Sequence, residues 1–387
     1  MVGIYFFGIA IIPIIITLIC RVIWPHKITW AETAGSIGIA LLICAIIFFT
    51  GSYKSTSDVQ LLNGEITGKK MEEVPCEHSY DCNCRTVTHT SGSGKDQTTY
   101  TTTECDTCYE HHGVFRTSQG TDFDWDILTN LGVRININRI DSRGEKEPPR
   151  WTKAEKGQPV VIPRTYENLV LAVPDTMFNF IQEQQATQFD PLIPPYPRAI
   201  FDYHYCDRVI AVGVKVKELK EWNLALANAM KIWGPKKQAN VIILIVNTDD
   251  PKYMNYLEKK WLRGKMNDII IVLGSKSYPS VDFVRILSWS DSEEFKVSLR
   301  LDLESFLLQY GILDMHGASM HNRIIELIDS NMKTYKRFDR EQLEYLRREI
   351  KPPMWIIATT LLIAIFGSLG LNWFFYKTNT GNEKYSR

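Results

Sequence analysis

The sequence has no charge excess. Its 44 Lys and Arg stand against 44 Asp and Glu, a formal net charge of +0 at pH 7. A dedicated nucleic-acid binder carries a basic surplus or a basic face, and an acidic disordered chain carries the opposite imbalance. Neither class is expected, and nucleic acid is not among the expected partners. Catalytic signatures are missing too: there is no Gly-x-Ser-x-Gly, no His-Glu-x-x-His and no Walker loop. Charge is absent from three long stretches, Val2–Cys20, Thr33–Phe49 and Met354–Tyr376. A helix rises about 1.5 Å per residue, and roughly 20 apolar residues cross a bilayer core. Three membrane spans are therefore expected, although the mean hydropathy of the whole chain is only −0.14. With no charged residue inside them, the spans offer no ion path within one chain.

What is present divides the 387 residues into parts. Residues 1–50 read as a transmembrane hairpin. The first span lacks the positive start and small-residue cleavage site of a signal peptide. Trp24 and Trp30 fit interface anchors between the two spans, and Trp355 and Trp373 bracket the last one. Arg21 and Lys27 in the short loop favour a cytoplasmic loop. That places the soluble part outside the cytoplasm, as an integral membrane protein whose first partner is the lipid bilayer.

Residues 51–190 read as β-rich with a cysteine-rich insert over 76–112. Cys20 and Cys44 fall in the spans and Cys206 stands alone, whereas Cys76, Cys82, Cys84, Cys105 and Cys108 cluster with His78, His89, His111 and His112. Two close cysteine pairs resemble the knuckles of a zinc ribbon, with His78 or His111 able to replace one sulfur. The competing reading is disulfides in an oxidising compartment, with Cys206 as the sixth member. A thiol-redox role for Cys105 and Cys108 is a third. Thr90–Asp96 between the pairs lacks the phosphate-loop pattern and reads as a hairpin tip. Asp122, Asp124 and Asp126 alternate with Phe123 and Trp125, which predicts a strand with a solvated acidic face. Val133, Ile135 and Ile137 repeat with strand periodicity, and Pro148–Trp151 reads as a rigid extended exit.

Four prolines between Asp190 and Pro197 predict a linker over 191–200. Beyond it the pattern becomes α/β. Val241–Val246 and Ile269–Leu273 are fully apolar strands, and helical spacing surrounds them over 218–232 and 250–262. Residues 284–288 and 295–301 read as edge strands, 305–313 and 321–333 as helices, and 331–353 as a juxtamembrane helix leading into the last span at 354–376, with a polar tail at 377–387. Gly234 and Gly264 each fit a helix C-cap.

The stretch Tyr256-Leu-Glu-Lys-Lys-Trp261-Leu-Arg-Gly264-Lys265-Met-Asn267-Asp268, followed by aliphatics, resembles the TPM domain over about residues 200–330. That resemblance implies a TPM-like sheet covered by helices on a membrane tether, and a metal-assisted phosphatase or an assembly role. Asp249, Asp250, Asp268 and Asp282 are the candidate carboxylates for a divalent cation. The glycine usual after Asn or Asp in that family is Ile269 here, so phosphatase activity transfers poorly. The overall layout, with Cys76–Cys84, Cys105–His111 and Glu147–Trp151, is similar to membrane proteins of tailed bacteriophages, which implies a bacterial inner membrane. The expected function is a multi-pass membrane protein that displays a non-enzymatic interaction or assembly domain to a protein partner, with a homo-oligomer as an open alternative. The alternatives are a TPM-like metal-assisted phosphatase and a zinc-binding or thiol-redox protein.

Overall fold

The computed structural model describes residues 2–75, 79–91, 98–111, 114–116, 121–137, 147–171, 173, 187–198, 200, 206–217, 219–312 and 320–378. Three helices are long and apolar enough to cross a membrane: α1 (Val2–Ile23), α2 (Trp30–Thr56) and the C-terminal helix (Met354–Thr378). Thr29 and Glu32 form a reciprocal capping box that starts α2 after the turn. The buried side of α2 runs Ser36, Ala40, Cys44, Phe48 and Ser52, and that of the last helix runs Ile356, Thr360, Ala364, Ser368 and Asn372. Small residues at every fourth position let helices approach closely. The Asn372 amide donates to Thr17 Oγ1 at 3.1 Å and Ser36 Oγ at 3.3 Å, joining all three helices. Trp24 lies 5.0 Å from Tyr376, so the α1–α2 turn and the end of the last helix share one side. The soluble part stands on the other.

The helix α2 runs on to Thr56, beyond the expected hairpin boundary, and passes directly into β1 (Ser57–Pro75). This strand has 19 residues. At about 3.3 Å per residue it is some 60 Å long. Its lower half pairs antiparallel with β7 (Pro159–Glu167), and its upper half with β5 (Thr121–Thr129), which pairs in turn with β6 (Arg134–Asn136). The order is β6-β5-β1-β7. Trp125, Ile127, Ile66, Ile137 and Val160 form the core of this sheet. Asp126 is not solvated as the alternation implied. It is buried and accepts a hydrogen bond from Asn136 at 3.2 Å. Pro149 opens one short helix, α3 (Pro149–Lys153), instead of an extended exit, because proline suits the first helical position. Above the end of β1, β2 (Ser79–Ser91) and β3 (Thr98–His111) form a long hairpin edged by β4 (Val114–Arg116).

The second sheet has the order β11-β10-β9-β8. The strands β8 (Val209–Val212), β9 (Asn240–Val246) and β10 (Asp268–Gly274) are parallel, and β11 (Phe283–Ser288) is antiparallel at the edge. Every residue of β9 and β10 is buried, as the aliphatic runs predict. One face carries α4 (Leu219–Lys237), α6 (Glu293–Tyr310) and α7 (Met320–Asn331). Residues 295–301 belong to α6 and not to a strand. Ser292 caps that helix, and Phe295, Leu299, Leu303 and Leu307 are buried four apart, while Val297 and Leu301 are exposed. Gly234 lies inside α4 and is not its C-cap. Gly264 is not the C-cap of α5 (Tyr253–Lys260) either: Trp261 caps that helix, and Gly264, with φ +71°, ends a left-handed run begun by Leu262 and Arg263.

The proline-rich stretch is not a free linker. It covers the opposite face of the sheet beside α5. Phe189, Leu192, Ile193 and Tyr196 pack on Ile242, Leu244 and Val272. Tyr253 and Trp261 donate to the carbonyls of Leu192 and Pro194, each at 2.9 Å. Proline cannot join a ladder as donor, but its carbonyl can accept, and these two bonds tie the strap down. Residues 331–353 do not form one helix either. After α7 the chain runs extended, makes 3-10 turns over Arg340–Arg348, and reaches the last helix α8 (Met354–Thr378) through Pro352 and Pro353. Paired prolines disfavour helix in the residues before them.

Candidate functional site

The cysteine cluster forms two disulfides, Cys82–Cys108 and Cys84–Cys105, with Cα separations of 5.8 and 4.0 Å. Both cross the hairpin from β2 to β3. The two-knuckle zinc arrangement would instead need the neighbours of each strand to aim at one point as thiolates. Cys105 and Cys108 are likewise not partners of one another, as a Cys-x-x-Cys redox pair would be. Cys206 is a free, buried thiol and not a sixth disulfide member. Cys76 and His78 lie outside the described residues, and His111 ends β3. Among the described residues, no group of three or more His, Cys, Asp or Glu is arranged to hold a metal ion.

The four aspartates do not converge. Asp268 begins β10, paired with Asn240 at the start of β9. Asp249 and Asp250 follow the far end of β9, and Asp282 precedes β11, whose Phe283 pairs with Gly274 at the far end of β10. Seven residues of strand, about 20 Å at the usual rise, separate Asp268 from the others. Asp250 and Asp282 serve as turn acceptors for the backbone amides of Lys252 (2.9 Å) and Lys276 (2.7 Å). Asp249 is exposed.

The densest chemistry lies where the lower half of β1 meets the amino ends of β9 and β10. Asp268 is fully buried, and its two oxygens accept from Asn240 Nδ2 (2.8 Å), the Lys265 amide (2.7 Å) and Tyr196 OH (2.8 Å). Burial raises its pKa to about 6, against the lowering effect of those donors. Asn240 Oδ1 accepts from Arg208 Nε at 2.9 Å and Asn63 Nδ2 at 3.2 Å. Arg208 also donates to Asn63 Oδ1, so a buried guanidinium is held by two side-chain amides. Asn267 Nδ2 donates to the Leu61 carbonyl at 2.7 Å. Gly234 of α4 comes so close to Asn63 that a Cβ there would lie 2.6 Å from the Asn63 carbonyl carbon.

Nearer the membrane, Lys265 Nζ meets Asp58 Oδ1 at 2.5 Å. Asp58 Oδ2 accepts from Tyr166 OH at 3.1 Å and Asn168 Nδ2 at 3.0 Å. The Tyr166 hydroxyl is pushed above its ordinary range, first by burial and then by the Asp58 charge. A cavity of about 480 Å³ adjoins the pair, lined by Val59, Leu61 and Pro163 of the sheet, Pro195, Tyr196 and Arg198 of the strap, and Asp58 and Lys265. Of these groups, sequence reading singles out Asp268 as a candidate ligand and includes Lys265 as part of the TPM-like stretch. Asp58, Asn63, Tyr166, Tyr196 and Arg208 carry no local signal, because their partners lie far away in the chain.

Asp268 is enclosed by donors, and among the described residues no Ser, Thr or Cys nucleophile is bonded to a base in this seam. Comparison with protein-family models, with curated proteins and with solved structures returns no match.

Proposed function

We infer that the protein is a non-enzymatic display protein of the membrane, with its soluble part outside the cytoplasm and the β2–β3 hairpin offered to a protein partner. The observation that carries this reading is the pair of disulfides on a hairpin at the far end of β1, a 19-residue strand that leaves the membrane helix without a break. Disulfides persist in oxidising compartments and are rare in the cytosol. The hairpin is polar and mostly exposed, with Tyr100 at 55% exposure stacked on His89. An exposed aromatic among threonines suits protein recognition. The strand–helix succession from β8 to β10 is also compatible with the TPM-like likeness, which we keep as part of this reading.

The test is protease treatment of intact spheroplasts carrying the full chain. The expected result is cleavage of the soluble part, with fragments still joined through Cys82–Cys108 and Cys84–Cys105 until reductant is added. Protection until the membrane is permeabilised, with alkylatable thiols at all four positions, would overturn the reading.

A further inference from the structure

Among the described residues, the Asp58–Lys265 pair differs from three other lysine–carboxylate pairs. Lys70–Glu72, Lys260–Asp190 and Lys296–Glu293 each have at least one side chain more than two-fifths exposed, whereas Lys265 and Asp58 are 19% and 11% exposed. An ammonium–carboxylate pair has the same atoms as an amide plus one water. The two residues lie 207 positions apart, one at the root of β1 and the other before β10.

We propose that Asp58 and Lys265 condense to an intramolecular isopeptide bond that ties the β1 arm to the α/β unit. The ammonium passes one proton along the 2.5 Å contact to Oδ1, and the neutral Nζ adds to Cγ. Negative charge then grows on Oδ2. The Tyr166 hydroxyl and the Asn168 amide, at 3.1 and 3.0 Å, already point at that atom. They act as an oxyanion hole. Tyr166 is itself held by the Asn168 amide at 3.1 Å. A second proton moves from nitrogen to Oδ1, the Cγ–Oδ1 bond breaks, and Oδ1 leaves as water. Nitrogen keeps its third proton as the amide N–H. No oxidant, reductant or external acid is consumed. The cavity of about 480 Å³, which both residues line, gives the water an exit. Holding amine and acid at contact distance supplies the effective concentration that a bimolecular condensation lacks.

The other buried cation of the seam, Arg208, is not nucleophilic and is held by amides, so the reaction is confined to one pair. The link does not depend on which side of the membrane the domain faces or on what the hairpin binds.

The test is the mass of the full chain, purified in detergent, after complete reduction. The expected mass is one water below that of the sequence, with a branched proteolytic peptide joining the Asp58 and Lys265 segments and surviving reductant. Lys265→Arg keeps the cation and removes the nucleophile, and is expected to restore the full mass. Wild-type protein with both disulfides formed but the full sequence mass after reduction would overturn the proposal. So would a missing water that persists in Lys265→Arg, since the dehydration would then lie elsewhere.

Discussion

Gly234→Ala separates two accounts of one residue by the sign of its effect. If Gly234 were an ordinary exposed helix position, alanine would stabilise α4 by about 1 kcal/mol through helix propensity. In the fold, the added methyl meets the backbone of Asn63, with its carbonyl carbon at 2.6 Å and its Cβ at 2.8 Å. Backbone cannot rotate away as a side chain end can. Either α4 lifts off β1 or the strand bends. Overpacking of this kind costs about 1–3 kcal/mol. Lifting α4 also stretches the Lys231 Nζ bond to the Gly157 carbonyl (2.7 Å) and the Asn63 bonds to Ala239 and Asn240. The net expectation is a loss of about 1 kcal/mol, and up to about 2, after the propensity gain is subtracted. Melting followed by tryptophan fluorescence in detergent reads this, because Trp233 is the adjacent residue and is buried. A domain of this size loses roughly 2–4 °C per kcal/mol. Asn228→Ala, at an exposed position of the same helix, is the control and is expected to gain about 0.5 kcal/mol at most. A Gly234→Ala protein as stable as the control would mean that α4 does not pack on β1.

Three further outcomes are expected. Leu299→Ala should cost about 2–5 kcal/mol, whereas Val297→Ala, at 47% exposure, should stay within about 0.5 kcal/mol; equal costs in denaturant titration would restore the strand reading of 295–301. The Asp268 carboxyl titrates at about 6 in the fold against an ordinary value of 3.8, so its ionisation opposes folding: it contributes no pH dependence below the lower value, and the wild type loses up to about 3 kcal/mol as pH rises through the window between the two. Stability curves of wild type and Asp268→Asn that run parallel across that window would refute this. Replacing Cys84 and Cys105 together by serine opens a link across 21 positions; we expect about 3 kcal/mol of local loss, seen as faster hydrogen exchange in β2 and β3 with the α/β melting temperature unchanged, and a shared transition would show that the hairpin folds with the core.

The elements legible in the sequence are those whose signal is local. An uncharged run long enough to cross a bilayer needs no tertiary partner to be recognised, and the three long apolar helices coincide with the three uncharged stretches. The same holds for β9 and β10, whose unbroken aliphatic runs suit a strand covered on both faces. The α6 segment mimics a strand because Val297, Leu299, Leu301 and Leu303 also alternate. The helical period becomes visible only when Phe295 and Leu307 extend the four-residue spacing and Ser292 supplies its cap. The strap mimics a linker because proline density indicates what a segment cannot form, not what it covers. Its fastenings are donors on Tyr253 and Trp261, more than fifty positions downstream.

The seam is hidden for a related reason. Asp58, Gln60 and Asn63 are polar side chains of a strand, and polarity alone would assign them to solvent. Gln60 and Asn63 are each 2% exposed, although they lie on opposite faces of the strand. The lower half of β1 is thus buried on both sides, by Arg337 bonding to Gln60 at 2.9 Å on one and by Asn240 and Arg208 bonding to Asn63 on the other. Such a strand would be aliphatic if burial were its only task, as β9 and β10 are. Its polar side chains fix register instead. A one-residue slip would exchange the faces and leave Asp58, Gln60, Asn63 and Arg208 buried without partners, each at a cost of about 1–3 kcal/mol or more for the charged groups. Hydrophobic burial alone would tolerate neighbouring registers of a 19-residue strand. The polar set does not, and so the point at which the arm leaves the membrane helix also fixes the position of the α/β sheet against it.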